Sequence, residues 1–324
     1  SLADFDALTK IVQSFDVLHM QGPYVEAQDI DVKYRHYATT RTQLTLSDKF
    51  PFVYARGTPQ SEDAFEMMRL ARGLSHDELV SDAWCYTVIN TNSPRQLDIP
   101  MAQGIIDFAR AGQVSVITPF CLAGAMAPIT VAGALTLQHA EALAGIALAQ
   151  IARPGSPVVY GSFSSNVDMK SGAPMGGTPE AAQMMYLMGA LARKYRLPWR
   201  TSGFHVGSKL NDAQAGYEAN MLMHAAILSG ANYIWHSAGW LEAGLACGYS
   251  KFVTDCEQLV GWYKYAGGVS FDDFKDAMAA VREVGPAGHF LGTQHTLEHF
   301  ESAFFMPTLM DFSSFEQWSA EGAK

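Results

Sequence analysis

A chain of 324 residues, 48% of them hydrophobic, can bury a large core and is long enough for one big α/β domain or two smaller ones. Its net charge of −10 argues against a nucleic-acid partner, which needs a basic face, and disfavours docking on an anionic membrane, so neither is expected. Four cysteines, Cys85, Cys121, Cys247 and Cys256, form no CxxC pair and read as reduced thiols of a cytoplasmic protein, not as a zinc site or a disulfide framework.

The opening SLADFDALTK reads as an amphipathic helix (3–14) and not as a signal peptide. Strand and helix patterns then alternate. Strands are predicted over 17–22, 52–56, 84–89, 114–118, 157–163, 199–204 and 233–237, and helices over 29–44, 62–73, 100–111, 129–152, 179–195 and 212–229. The most apolar stretch, 123–152, carries Gln138, His139, Glu141 and Gln150, which makes it a buried helix of a soluble protein, with His139 and Glu141 facing a neighbouring helix. Thr178 followed by Pro179 predicts a capped helix start, and Asn211 with Gln214 and Ser270 with Asp273 fit capping boxes.

Repeated βα units with short apolar strands predict an α/β fold, a (β/α)8 TIM barrel. Seven strands are visible. The eighth is either 288–292 or lies upstream of Ser1, and the second is favoured because the chain opens on a helix. From 251 onward the pattern becomes two helices (251–265 and 271–283) and an aromatic tail whose last helix is expected to continue past Lys324. Residues 1–250 are therefore read as the barrel and 251–324 as a C-terminal helical extension packed on it within one structural domain. Phe300, Phe304, Phe305, Phe312, Phe315 and Trp318 would be costly in water, so they are expected on the barrel or on another subunit of a homo-oligomer.

In a parallel barrel the site lies at the C-terminal strand ends and the loops after them. That rule selects Arg56, Asn90, Phe163, Phe204, His205 and His236, with Trp240 and Glu242 just beyond. The set is rich in aromatics and amides. The chain has no HExxH, no P-loop, no GxGxxG after a strand and no GxSxG elbow, so no metal site is expected and nucleotide binding or serine hydrolysis lacks support. Aromatic faces around a small pocket suit a quaternary ammonium, held by ring quadrupoles without hydrogen bonds. The long loop GSFSSNVDMKSGAPMGG (161–177) sits between a strand and a capped helix and reads as functional.

Three blocks, TPFCLAGAMAPITVAGALTLQHAEALAGIALAQ, GSFSSNVDMKSGAPMGGTPE and HSAGWLEAGLACGYSKFVTDCE, with the later GHFLGTQHTLEHF, resemble the trimethylamine methyltransferase family of corrinoid-dependent enzymes. The resemblance implies a TIM barrel and the transfer of a methyl group from a methylated amine to the cobalt of a corrinoid carried by a small separate protein. Family members of this kind are longer at both ends. The founding members use pyrrolysine near the segment that here reads SGFHVGSKLNDAQAGYE, and this chain has standard residues throughout it. The departure points to a quaternary, betaine-like amine, whose leaving group is a neutral tertiary amine and needs no general acid.

On this reading Phe163, Phe204 and Trp240 meet the ammonium, and His205, Asn90 or Arg56 meets a substrate carboxylate. His236 and Glu242 shape the pocket. Asp168, Lys170, Ser171, Gly172 and Gly176, in the loop 166–177, contact the corrinoid or its carrier, because small residues let a flat macrocycle approach. Two alternatives remain: a lyase or hydrolase of a small anion with His205 and His236 as acid and base, and a non-catalytic binder of methylated amines.

Overall fold

Short β-branched and aromatic runs fold as five parallel strands, Tyr86–Ile89, Val114–Ile117, Val158–Gly161, Trp199–Ser202 and Tyr233–Trp235, paired in that order in the computed structural model, which describes residues 1–322. Parallel neighbours require crossovers, and helices Ile99–Arg110, Val131–Ala152, Pro179–Lys194 and Ala213–Leu228 supply them. The two segments expected as first strands join only through single parallel bridges, Met20 to Phe50 and Phe52 to Tyr86. Their ladder is short because Pro23 and Pro51 have no N–H to extend it. Residues 288–292 form no strand; they are a bend and turn leading into helix Gln294–His299.

A flat sheet would hold its outer strands about 19 Å apart, four strand spacings. Instead Tyr86 on the first strand meets Tyr233 and Trp235 on the last, with ring centroids 5.6 and 6.4 Å apart. The sheet therefore curls into a half-barrel of TIM-barrel type, its hollow filled by aromatic side chains that include Phe52. Outside the curl, Ile89, Ile117 and Trp199 pack against Ile105, Phe108, Ile146 and Met188 of the crossover helices. Two glycines make this close approach possible. A Cβ on Gly145 would lie 2.6 Å from Ile117 Cγ2, and one on Gly161 would lie 2.2 Å from Thr118 Oγ1 and 2.8 Å from the Ile117 carbonyl. Gly161→Ala is therefore expected to cost about 2 kcal/mol of stability, since backbone cannot yield as a side chain can; a denaturant midpoint equal to that of the unaltered chain would refute this.

Helix Val131–Ala152 is long and apolar enough to cross a membrane by length and composition alone. Its polar side chains instead turn inward. Gln138 donates to the Gly161 carbonyl at 2.8 Å, and His139 Nδ1 lies 2.9 Å from the Tyr160 hydroxyl. Glu141 accepts from Thr91 Oγ1 (2.5 Å), Ser93 Oγ (2.6 Å) and the Arg95 N–H (2.6 Å). His139 thus reaches both the sheet and, as expected, a neighbouring helix, its ring 5.1 Å from Tyr195 at the end of Pro179–Lys194, whereas Glu141 faces the 91–95 loop, because a buried carboxylate needs several donors and that loop offers them.

Thr178 caps its helix with Pro179 at the first position, as expected. The other two capping boxes do not form. Asp212 takes the Ala215 N–H, while Asn211 bonds Thr254 and Gln214 bonds Glu218. Ser270 bonds Asp272, and the helix begins at Phe274 without a side-chain cap.

The described residues form two compact units, one ending at Cys256 and one beginning at Glu257. In the second, helices Phe274–Val284, Gln294–His299 and Phe315–Ala320 are short, and the Glu257 carboxylate takes the N–H groups of Thr308 and Leu309 at 2.9 and 2.6 Å. Phe300, Phe304, Phe312 and Phe315 are exposed. The expected continuation of the last helix past Lys324 falls outside the described residues.

Candidate active site

Four rings meet where the strands end. The Val158–Gly161 strand delivers Phe163, whose backbone N–H donates to the Pro119 carbonyl at 3.1 Å and whose ring stacks on Phe120 at 5.0 Å. The Trp199–Ser202 strand leads to His205, and the Tyr233–Trp235 strand to His236. Ring centroids stand 4.7 Å apart for Phe163 and His205, 5.1 Å for Phe163 and His236, 4.9 Å for the two histidines, and 5.0 Å for His236 and Trp240. A pocket bordered by Phe120, Phe163, Ser202, His205, Met175 and Gly176 opens beside them.

Local backbone geometry sets these rings. His236 turns sharply off its strand with φ +51°, and Ser202 Oγ lies 3.0 Å from its Nδ1. The following turn is pinned at Gly239, whose N–H donates to Asp255 at 2.8 Å. Asp255 is itself paired with Lys251 one helical turn away, and both side chains are buried. The segment Glu242–Gly244 folds back over His205: the Glu242 N–H donates to the Ser208 carbonyl and the Ala243 N–H to that of Val206, both at 2.8 Å. Gly244, at φ +92°, passes so close that a Cβ would sit 2.9 Å from His205 Nε2, and that nitrogen is buried without a hydrogen-bond partner.

Burial, helped by the nearby Arg200 guanidinium, pushes His205 down to about 4, and burial, helped by His205 and Arg200, holds His236 well below the usual histidine range. Both imidazoles are therefore neutral at pH 7 and do not repel a cation. The linkage is specific. A histidine depressed in the folded state contributes stability above its ordinary 6.5 that is lost as pH falls through about 4. His205 alone should account for about 3 kcal/mol of acid sensitivity over that window. The check is to compare unfolding of the unaltered chain and His205→Leu at pH 7 and pH 4.5; parallel losses in the two would discard the assignment.

The structure brings Phe163, His205, His236 and Trp240 together. It does not bring Phe204, Arg56 or Asn90 to them. Phe204 is fully buried on the other side of its strand end, under the Lys251 ammonium at 5.4 Å, because adjacent residues leaving a strand point opposite ways. Arg56 is clamped by Glu26 at 2.6 and 3.0 Å and stacks on Tyr54. Asn90 is exposed beyond its strand. Glu242 is exposed beside the pocket at φ +49°.

The 166–177 loop is ordered by its own contacts. Asp168 accepts from the Lys170 and Ser171 backbones and from Ser171 Oγ, which spends its carboxylate on the turn. Gly176 is small for an internal reason, since a Cβ there would lie 2.7 Å from the His205 carbonyl and the Gly207 nitrogen. Lys170, Ser171 and Gly172 form the exposed tip. Sequence reasoning passed over Arg200, fully buried beneath the rings, although a lone arginine inside a strand is itself unusual. It also passed over Asp273, His295 and His299 of the second unit, whose donor atoms lie within 4.8 Å of one another, because the aspartate is distant in sequence.

The family model of trimethylamine methyltransferase matches residues 1–324. The chain belongs to the trimethylamine methyltransferase family. It is 37% identical to a glycine betaine methyltransferase of Desulfitobacterium hafniense strain Y51 over 99% of this chain and 67% of that protein. It is 30% identical to a trimethylamine methyltransferase of Desulfitobacterium hafniense strain DSM 10664 / DCB-2, over 99% of this chain and 64% of the relative. A trimethylamine methyltransferase of Methanosarcina mazei is 33% identical over 72% of this chain and 46% of its own length. The chain thus spans about two thirds or less of the relatives it matches.

Proposed function

We propose that this chain binds a quaternary amine of betaine type and presents one of its methyl groups to a corrinoid carried by a small partner protein. The observation that carries the proposal is the group of four packed rings at the C-terminal strand ends, two of them neutral imidazoles, of which Phe163 and His205 border a pocket. Ring faces hold a quaternary ammonium by about 2 kcal/mol or more each when desolvated, without asking it for a hydrogen bond. Family membership and the similarity to a glycine betaine methyltransferase support the same reaction class.

The residues suit an acceptor that comes from outside: the Lys170–Gly172 tip is exposed, and at Gly172 a side chain would meet nothing within 4 Å. When bound on its carrier, the corrinoid supplies a Co(I) nucleophile. The protein's own work is to orient one N–CH3 bond toward the mouth and keep water out, with Phe163 and His205 as walls and His236 and Trp240 packed behind them. As that bond breaks, its electron pair stays on nitrogen and a neutral tertiary amine leaves, so no proton has to be delivered. Acid–base catalysis by His205 and His236 gains little support, because efficient catalysis at neutral pH wants a group near 7 and both are depressed. A closed barrel, a cytoplasmic setting with its four thiols free, and a homo-oligomer covering the exposed phenylalanines belong to the same proposal.

Titration calorimetry with glycine betaine and other betaines, followed by methyl transfer to free Co(I)-cobalamin, tests it. Binding with transfer is the expected outcome. Binding without transfer favours a non-catalytic relative, and turnover of a small acid without cobalamin favours a lyase or hydrolase.

A further inference from the structure

The buried Arg200 has no counter-charge. Its side chain is wholly inaccessible in the interior of the curled sheet, and no ion pair among the described residues includes it. One nitrogen donates to the Ser162 carbonyl at 2.8 Å, and Nε and Nη2 make no hydrogen bond. The guanidinium lies over Trp235 at 4.8 Å and under the Phe163 ring at 6.0 Å. Burial lowers it to about 10, so it is still charged at neutral pH. Leaving a charge buried with two donors unused is expensive, and such groups are ordinarily paired.

We infer that Arg200 is the floor of the substrate site and recognises the carboxylate of a zwitterionic substrate whose ammonium sits one layer higher, in the pocket bordered by Phe163 and His205. The inference rests on the proposed function and deepens it by assigning the residue that meets the substrate's carboxylate. Ser162 and Phe163 tie Arg200 to the pocket: the first accepts its hydrogen bond, the second stands over its guanidinium, and both border the opening. The order along the axis follows from the strand. Arg200 precedes Ser202, which contacts His236, and His205 lies beyond both. A substrate with its carboxylate at the floor and its ammonium in that pocket would point a methyl group toward the mouth.

The arrangement also selects. A simple cation such as tetramethylammonium would meet the field of an uncompensated arginine below the rings, whereas a betaine neutralises it. A guanidinium fork matches a carboxylate through two parallel donors, which a lysine cannot reproduce. This makes Arg200 a specificity-determining residue at the base of the site.

Calorimetry on the purified chain with four probes tests this: glycine betaine, tetramethylammonium, 3,3-dimethylbutanoate (the carbon isostere with the carboxylate alone) and its uncharged amide. In the unaltered chain the butanoate should bind at least about 10-fold tighter than the amide. Arg200→Met should weaken glycine betaine about 100-fold and leave tetramethylammonium no weaker, or tighter once the arginine's field is gone, with Arg200→Lys between the unaltered chain and Arg200→Met for betaine. Equal losses for betaine and tetramethylammonium, or no preference for butanoate over amide, overturn the assignment. The butanoate comparison needs no variant, so it decides the matter even if the Arg200 variants fail to fold. Tetramethylammonium binding without carboxylate preference would sink Arg200 alone. Binding of no methylated amine at all would sink the proposed function, and the Arg200 assignment with it.

Discussion

Phe163→Ala is expected to lower kcat/KM for methyl transfer from glycine betaine about 100-fold, a loss of about 2–3 kcal/mol of binding in the transition state. The ring of Phe163 lies at the centre of the site: it stacks on Phe120, meets both histidine rings edge or tilt, and covers the Arg200 guanidinium. Removing it takes one face from the ammonium and opens a path for water to the arginine. Both effects act on the charged substrate, so the loss should be much smaller for binding of the uncharged 3,3-dimethylbutanamide. Phe163→Tyr keeps the ring and should stay within about fivefold of the unaltered chain, because a phenol face binds cations nearly as well as a phenyl face. Steady-state transfer to Co(I)-cobalamin with betaine as donor measures the effect. A loss below about threefold for Phe163→Ala would remove this residue from the site.

Asp255→Ala is expected to destabilise the fold by about 3–5 kcal/mol, the largest loss foreseen for any single substitution considered. Asp255 faces Lys251 one helical turn away in a fully buried pair, and its other oxygen takes the Gly239 N–H at 2.8 Å. Burial pushes this carboxyl up to about 6, while the lysine and the Gly239 N–H hold it partly back. Deleting it strands an ammonium in the interior and frees the turn that follows His236. Loss of activity should therefore accompany loss of stability. Lys251→Met combined with Asp255→Leu removes both charges and should recover most of the stability, since a well-packed apolar pair is often as good as a buried ion pair. Activity should not recover with it, because no acceptor remains for the Gly239 N–H and the His236 turn stays loose. Urea unfolding of the two variants separates the effects; a double variant as unstable as the single one would show that the pair is not the cause.

The alternation of short apolar runs with amphipathic helices was enough to read a parallel α/β fold from this chain, and five of the seven expected strands form within a few residues of their predicted positions. That legibility has a local cause: side-chain periodicity and helix caps such as Thr178 with Pro179 depend on near neighbours in the chain. The sequence also carried the family, through blocks whose glycines and polar residues are held by contacts now visible, such as Gly161 against Thr118 and Glu141 under the 91–95 loop.

The partners of individual charged and aromatic side chains could not be read this way. Arg56 and Arg200 look alike as residues at or near strand ends, yet one is neutralised by Glu26 near the surface and the other is buried without a carboxylate. Phe204 and His205 are adjacent, but the turn of the backbone sends one into the core and the other to the pocket. Sequence by itself determined which residues reach the strand ends. Only the tertiary structure decided which of them face one another, because that depends on sheet curl and on segments far apart in the chain packing against the same few side chains.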